Sequence, residues 1–320
     1  MKSPVHSLGL LLRDPRHFQL AALSAVLGYG VLALDLPIEP AIAAVIPLTA
    51  LSVQWLACRL ARIRFDPRSV LISSLSLILL LRTHSLLLAV LATVLAIGSK
   101  FVLRTGGRHI FNPTALGIAV VAFLFDGAWV SPGQWGSALT VAFFVACLGI
   151  LVVWRSERSD VTIAFLLAFP GMLFARALYL GDPWAIPLHQ LGSGALVLFA
   201  FFMISDPKTL PDTRLGRILF AFVVAALAMW LRFSLWEQNA LIYALVLTAP
   251  FVPLLDRLFP GPRYEWPGEK GVTDASSPAY PDRRAGLPAP AAFRLRLLRL
   301  LRGEGRREAV QQPLARGPGA

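Results

Sequence analysis

The residues best suited to chemistry lie in two short polar stretches between apolar runs. In residues 108–117, Arg108 and His109 precede Asn112-Pro113-Thr114 at the start of an apolar, helix-forming run. Asn is a good N-cap and Pro suits the first helical position, which explains the pair structurally. The same helix start exposes N–H groups that, with Arg108 and His109 close by, would hold an anionic or carbonyl-rich ligand. In residues 192–212, Gly192, Ser193 and Gly194 open an apolar run that ends at Asp206-Pro207. That dipeptide reads as a helix stop and turn, or, beside Lys208 and Thr209, as a holder of a ligand or cation at a membrane edge. Arg176 is the one charge set well within an apolar run, with room to snorkel outward. Arg82 and His84 read as short-loop residues, and His189 as a group satisfying a local hydrogen bond.

Other chemistries find no support. There is no Walker motif, no GxGxxG after a strand, no nucleophile elbow and no HExxH. Cys58 and Cys147 lie in separate apolar blocks, without the spacing of a metal site, an iron–sulfur cluster or a CxxC motif. Redox chemistry would therefore require an organic cofactor. Asp126, Asp182, Asp206, Glu237 and Asp256 all fall at or near the ends of apolar runs, so no carboxylate relay through a membrane is visible.

The elements that must position these residues are membrane helices. Of 320 residues, 56% are hydrophobic and 15% charged, and the mean hydropathy is +0.66, outside the range of soluble globules. Apolar blocks near the roughly 20 residues of a spanning helix predict a polytopic protein, and the lack of ten-residue alternation argues against a barrel. The net charge of +12 sits in alternate loops and in the tail. This is the positive-inside pattern, and it accounts for the charge without nucleic acid. The first nineteen residues lack a small-residue cleavage site, so the first span should direct insertion.

Spans are predicted at about residues 18–36, 41–60, 69–81, 85–99, 112–125, 137–154, 161–180, 186–205, 215–231 and 239–259. Residues 1–17 form a cytoplasmic N-terminus and 18–259 the transmembrane domain. The segment at 69–81 would cover only about 20 Å as a helix, short of the roughly 30 Å hydrocarbon core. Either its flanks extend it or it is a broken, re-entrant element packed inside the protein. Pro170-Gly171 predicts a kink. The basic loops all fall on one side, which places both termini in the cytoplasm and the chain in the inner (plasma) membrane. Ten divides into two inverted five-helix repeats, making 69–81 and 186–205 equivalent; both carry small or hydroxyl residues early (Ser73, Ser74 and Ser76; Gly192, Ser193 and Gly194). Residues 260–320 turn to Pro, Gly, Arg and Ala and read as a mostly disordered cytoplasmic tail. Within it a short basic amphipathic helix near 291–302, with Phe293, Leu297, Leu300 and Leu301 at helical spacing, suits an anionic lipid leaflet.

Residues 99–117, SKFVLRTGGRHIFNPTALG, followed by 200–213, AFFMISDPKTLPDT, resemble the NqrB/RnfD family, the membrane subunits of ion-translocating NADH:quinone and ferredoxin:NAD oxidoreductase complexes. The likeness extends over about residues 10–260. RDPRHFQ at 13–19 and WVSPGQWG at 129–136 are similar to shorter members, including UnbU-type proteins found with enediyne biosynthesis. The resemblance implies ten helices in two inverted halves, similar to the urea-transporter fold, and other membrane or redox subunits as partners. It also implies flavin, FMN or riboflavin. Family members esterify FMN to the Thr of an S-G-A-T motif, and some hold a second flavin non-covalently. The nearest string here is Ser193-Gly194-Ala195-Leu196, and Leu196 cannot form the ester.

The sequence thus leads to an all-α polytopic membrane protein that relays electrons through a non-covalent flavin, possible coupling to ion translocation included. The expected cofactor-binding residues are Arg108, Asn112, Pro113, Thr114, Ser193, Asp206, Pro207 and Thr209. Two alternatives stay open: a small-solute channel or permease of urea-transporter type, and a non-redox membrane accessory protein of a biosynthetic cluster.

Overall fold

Four of the five helices described in the first half start at a Pro, and the fifth starts at Leu86 after the cap Ser85. The computed structural model describes residues 14–131, 150, 153, 159–262 and 264. Helix α1 (Pro15–Ala33) is capped by Asp14, whose carboxylate accepts the Arg16 N–H at 3.0 Å. That cap starts the helix ahead of the expected Phe18. Helix α2 (Pro40–Ala61) ends on Arg62 in the left-handed conformation. Helix α3 (Pro67–Leu80) repeats the α1 start, with Asp66 accepting the Arg68 N–H at 3.0 Å.

Helix α3 has 14 residues, about 21 Å at 1.5 Å per residue, and does not lengthen at its end. The chain passes into strand β1 (Leu81–Thr83) instead. Of the two outcomes predicted for this segment, a broken element packed inside the protein is the one observed. Helices α1 and α2 pack on it, as do α4 (Leu86–Val102) and α5 (Pro113–Leu124), and Leu77, Leu79 and Leu80 are buried. An extended segment away from water needs partners for its peptide groups. Strand β1 finds them in β4 (Ala128–Val130), antiparallel, with Leu81 opposite Val130 and Thr83 opposite Ala128. The Ser131 N–H donates to the Leu80 carbonyl at 2.7 Å, and Asn239 Oδ1 accepts the Val130 N–H at 3.0 Å. The connection between the spans expected at 112–125 and 137–154 therefore contains a strand.

Between α4 and α5 lies a second, smaller ribbon, β2 (Arg104–Thr105) paired with β3 (Arg108–His109). Its turn, Gly106-Gly107, has φ of 60° and 91°, a backbone that glycine adopts without steric cost. Helices α4 and α5 cross closely at Gly117, where an added Cβ would stand 2.4 Å from the Ala92 carbonyl oxygen and 2.8 Å from the Ala96 Cβ.

In the second half, α6 (Ser159–Leu180) runs through Pro170 as one continuous helix. The expected single segment at 186–205 is broken into α7 (Ala185–Leu191), α8 (Gly194–Leu198) and a π-helical turn (Phe199–Met203). The Thr162 hydroxyl of α6 donates to the Ala200 carbonyl within that turn, at 2.9 Å. Helix α9 (Arg214–Ser234) packs on α6 and on α10 (Ala240–Thr248), which continues through a 3-10 turn (Ala249–Phe251) into α11 (Val252–Leu258). The core holds Phe165 stacked on Phe169 at 5.6 Å and tilted against Phe199 at 5.0 Å.

Among the described residues four helical segments are long and apolar enough to cross a membrane: Pro40–Ala61, Ser159–Leu180, Arg214–Ser234 and Ala240–Leu258. Pro67–Leu80, Leu86–Val102, Pro113–Leu124 and Gly194–Met203 are shorter apolar helices. The span expected at 137–154 lies outside the described residues except for Ile150 and Val153, both helical. The tail, including the amphipathic helix near 291–302, lies outside them as well.

Candidate functional site

Three helix N-termini open onto one cleft. It has a volume of about 310 Å³ and is bordered by the first residues of α1 (Pro15, Arg16), α3 (Ser69, Ser73) and α5 (Pro113, Thr114). Lys100 near the end of α4, the ribbon residues Arg104, Arg108 and His109, Phe202 and Met203 at the end of the π-helical turn, and Ser205 to Lys208 after it complete its wall. Helix N-termini concentrate unpaired N–H groups and partial positive charge.

Two of the three starts are capped by carboxylates, Asp14 and Asp66, and these belong to a crossed ion-pair cluster. Arg16 reaches Asp14 at 2.8 Å and Asp66 at 2.8 Å, while Arg68 reaches Asp14 at 2.7 Å and Asp66 at 2.9 Å. Burial opposes ionisation of both acids, yet hydrogen bonds and charge from Arg16 and Arg68 prevail and hold both carboxyls below the ordinary Asp value. The third start, α5, has a neutral cap. Asn112 Oδ1 accepts the Ala115 N–H at 3.0 Å, and Asn112 Nδ2 donates to the Met203 carbonyl at 3.3 Å. One side chain thus both caps α5 and ties it to the segment before Asp206.

Arg108 fixes the far wall. It donates to the Leu210 carbonyl at 3.2 Å and to Asp212 at 2.8 Å, and it pairs with Asp256 of α11. Asp256 Oδ1 in turn accepts the Asp212 N–H at 2.8 Å. Behind this cluster Arg217 pairs with Asp160 at 2.6 Å and donates to the Asp212 carbonyl at 2.8 Å. Asp206 accepts the Lys208 N–H at 3.1 Å and lies 3.8 Å from His109 Nε2. Burial works against its charge, but the contact with His109, the Lys208 N–H and the field of Lys100 keep its carboxyl below the ordinary value.

Of the residues expected from sequence, Arg108, Asn112, Pro113, Thr114, Asp206 and Pro207 line the cleft together. Thr209 borders a small recess beside it, shared with Arg108 and His109. Ser193 precedes α8 and lines neither. Sequence reasoning missed the roles of Asp14, Asp66, Asp212 and Asp256. A signal was there to read: Asp-Pro-Arg occurs at 14–16 and again at 66–68, and Asp-Pro-Lys at 206–208. Gly106-Gly107 likewise announces the tight hairpin that places Arg108 and His109. Elsewhere Arg176 lies over the Phe233 ring at 4.0 Å and pairs with Asp182 at 3.3 Å, and His84 meets Glu39 at 2.9 Å. Among the described residues no group of His, Cys, Asp and Glu could hold a metal ion.

Residues 124–264 match the model of the NQR2, RnfD, RnfE family. The chain is 36% identical over 138 residues to the RnfD subunit of the ion-translocating oxidoreductase complex of Psychromonas ingrahamii, covering 42% of this chain and 39% of that protein. It is 30% identical over 135 residues to the corresponding protein of Yersinia pseudotuberculosis, covering 42% and 37%. With that of Citrobacter koseri it is 29% identical over 136 residues, again covering 42% and 37%. The aligned part is thus well under half of those relatives' length. The matched region contains the Asp206-Pro207 stretch, whereas the Asn112-Pro113 stretch precedes it. The apolar helices and these likenesses together point to a membrane-embedded protein. Residues 124–264 therefore carry the sequence pattern of the NQR2, RnfD, RnfE family, and it is to the RnfD subunit of ion-translocating oxidoreductase complexes that this chain is similar.

Proposed function

We propose that this chain is an electron-transport subunit of NqrB/RnfD type, with about ten membrane spans in two inverted five-helix repeats, which holds a flavin non-covalently in the cleft between α1, α3 and α5. The observation that carries the reading is the convergence, in one cleft, of two stretches about a hundred residues apart that bear the family likeness: Arg108 to Thr114 and Phe202 to Pro207. A cleft of about 310 Å³ lies at the lower end of the roughly 300–1,000 Å³ of small-molecule sites. The broken helices α3 and α7–α8, in corresponding places of the two halves, support the repeat.

The residues suit a reversibly held flavin and not an esterified one. Leu196 offers no hydroxyl, is buried at 4% exposure and does not line the cleft. Asn112, Thr114, His109 and Asp206 supply hydrogen-bonding groups of both kinds, and Phe202 and Met203 supply apolar surface. A bound flavin supplies the redox chemistry; the protein contributes burial, orientation and positive charge. Other membrane or redox subunits are its partners in this reading, since the relatives are named as subunits of a complex, and ion coupling is part of the same proposal. Both termini lie on the cytoplasmic side of the inner membrane in this reading, by the distribution of Arg and Lys.

Absorbance of the detergent-purified protein in the flavin bands tests the proposal. A yellow protein that releases its colour on denaturation is the expected result, and Asn112→Ala and Asp206→Ala should lower the flavin content. A colourless protein would sink the electron-transfer reading and leave the small-solute permease, which the two interrupted helices also favour, to be tested by solute flux into liposomes.

A further inference from the structure

Helix α2 leaves one face uncovered. Leu48, Ser52, Trp55, Leu56 and Arg59 are exposed at the spacing of a single helical stripe, whereas Ile46, Ala50, Ala57 and Cys58 on the other side are buried. The helix is long and apolar enough to cross a membrane, so the stripe faces hydrocarbon from Leu48 to Leu56. At 1.5 Å per residue, Leu48 to Arg59 covers about 16 Å, close to half of the roughly 30 Å hydrocarbon core. The stripe is thus about one leaflet deep.

At its end the stripe turns basic. Arg59, Arg62 and Arg64 are all exposed, and among the described residues no ion pair joins any of them. Asp66, the one acid between residues 59 and 66, is taken up by Arg16 and Arg68. A basic loop alone calls for no ligand, since positive charge gathers on one side of a membrane for topological reasons. Two further observations do call for one. Ile63 and Phe65, at 39% and 37% exposure, alternate with Arg62 and Arg64, which suits a loop lying in the membrane interface and not in open water. The Arg59 guanidinium also lies 5.4 Å from the centre of the Trp55 ring, which holds its charge at the foot of the apolar stripe. The helix end contributes about half a negative charge, and three full positive charges outweigh it. A ligand matching both parts of this surface has an apolar chain one leaflet long and an anionic head.

We propose that this face of α2 binds one anionic glycerophospholipid, with an acyl chain along Leu48, Trp55 and Leu56 and the phosphate among Arg59, Arg62 and Arg64. None of these residues lines the cleft, and the inference stands independently of the flavin reading.

The test uses the full-length protein, delipidated in mild detergent, with binding of dioleoyl phosphatidylglycerol and of dioleoyl phosphatidylcholine read by native mass spectrometry. The anionic lipid is expected to bind about tenfold tighter. Arg59→Gln with Arg64→Gln should cut that preference to about twofold and leave phosphatidylcholine binding unchanged; Arg62 stays in place because its backbone is left-handed. Arg214→Gln with Arg257→Gln removes the same charge from two other exposed positions and should keep the preference. Equal losses in the two double variants would reduce the effect to net charge and overturn the site. Equal binding of the two lipids by the unmutated protein overturns it as well, whether or not the variants fold. Displacement of the lipid by an equal concentration of glycerol 3-phosphate, a head without chains, would overturn the acyl half of the assignment. If protein extracted from its own membranes carries no anionic lipid, and the Arg59 and Arg64 variant instead loses a co-purifying subunit, the surface belongs to a protein neighbour and the lipid is overturned.

Discussion

Arg16 Nη1 lies 2.8 Å from Asp66 Oδ2, and Arg68 Nη1 returns the contact at 2.7 Å from Asp14 Oδ2. Each acid caps its own helix while also meeting the arginine of the other, so two Asp-Pro-Arg tripeptides join α1 to α3. The side chains of Asp14 and Arg16 are 8% and 9% exposed, and that of Asp66 is 32% exposed. Asp14→Ala removes a cap and leaves a buried guanidinium without one of its acids, a change expected to cost roughly 3 kcal/mol. Asp66→Ala, more open to solvent, should cost about 1 kcal/mol. Thermal unfolding in one detergent should rank them in that order, and equal losses would contradict the crossed arrangement.

The same cluster sets an acid limit. Asp14 and Asp66 have carboxyl pKa values lowered from 3.8 in the folded protein. A lowered folded pKa means that the unfolded state binds the proton first, so the stabilisation is complete above the ordinary Asp value and fades as pH falls through the lower one. Stability should therefore drop below about pH 4. In Asp14→Asn with Asp66→Asn, a lower starting Tm should fall less steeply with acid; a parallel fall would refute the assignment.

Arg108 joins the ribbon, the loop at 210–212 and α11, through Asp212 and Asp256. Arg108→Lys keeps the charge but loses the planar fork that serves two carboxylates at once. It is expected to recover less than half of the Tm lost in Arg108→Ala, a loss of roughly 3 kcal/mol. Full recovery by lysine would show that charge alone matters there.

Helices α4 and α5 approach closely at Gly117. An added methyl would meet the Ala92 carbonyl oxygen at 2.4 Å, and backbone cannot yield as a flexible side chain can. Gly117→Ala should cost about 1–3 kcal/mol, whereas Gly98→Ala, with nothing within 4 Å, should be neutral or slightly stabilising. Detergent-extract thermal shifts compare the two directly.

Leu196 offers a test of flavin attachment. Leu196→Thr restores a hydroxyl, but at a buried position outside the cleft. No flavin fluorescence should appear on its denatured protein band. A fluorescent band would place the flavin elsewhere.

The long apolar runs made the helices legible, since Pro40–Ala61 and Arg214–Ser234 each stay apolar over a length that can cross a membrane. Asn112-Pro113 and Asp206-Pro207 were legible as helix punctuation because cap and stop chemistry is local. What stayed hidden was long-range. The pairing of Arg108 with Asp256 joins residues 148 apart, and no spacing rule connects them. The strand at Leu81–Thr83 was concealed for another reason: its Leu-Arg-Thr is too short to show a period, and only Ala128–Val130 across from it makes it extended.

That strand pair also bears on how the chain is made. Helix α3, at 14 residues, is too short to settle in a bilayer by itself, and the strand that follows it finds its pairing partner in residues 128–131. Synthesis therefore reaches β4 before α3 has a stable resting place. The early part of the chain must wait at the insertion machinery, or in its shelter, until α5 has emerged. A ribosome stalled before residues 128–131 have left its exit tunnel should leave α3 open to extraction and proteolysis, and one stalled after they have emerged should not.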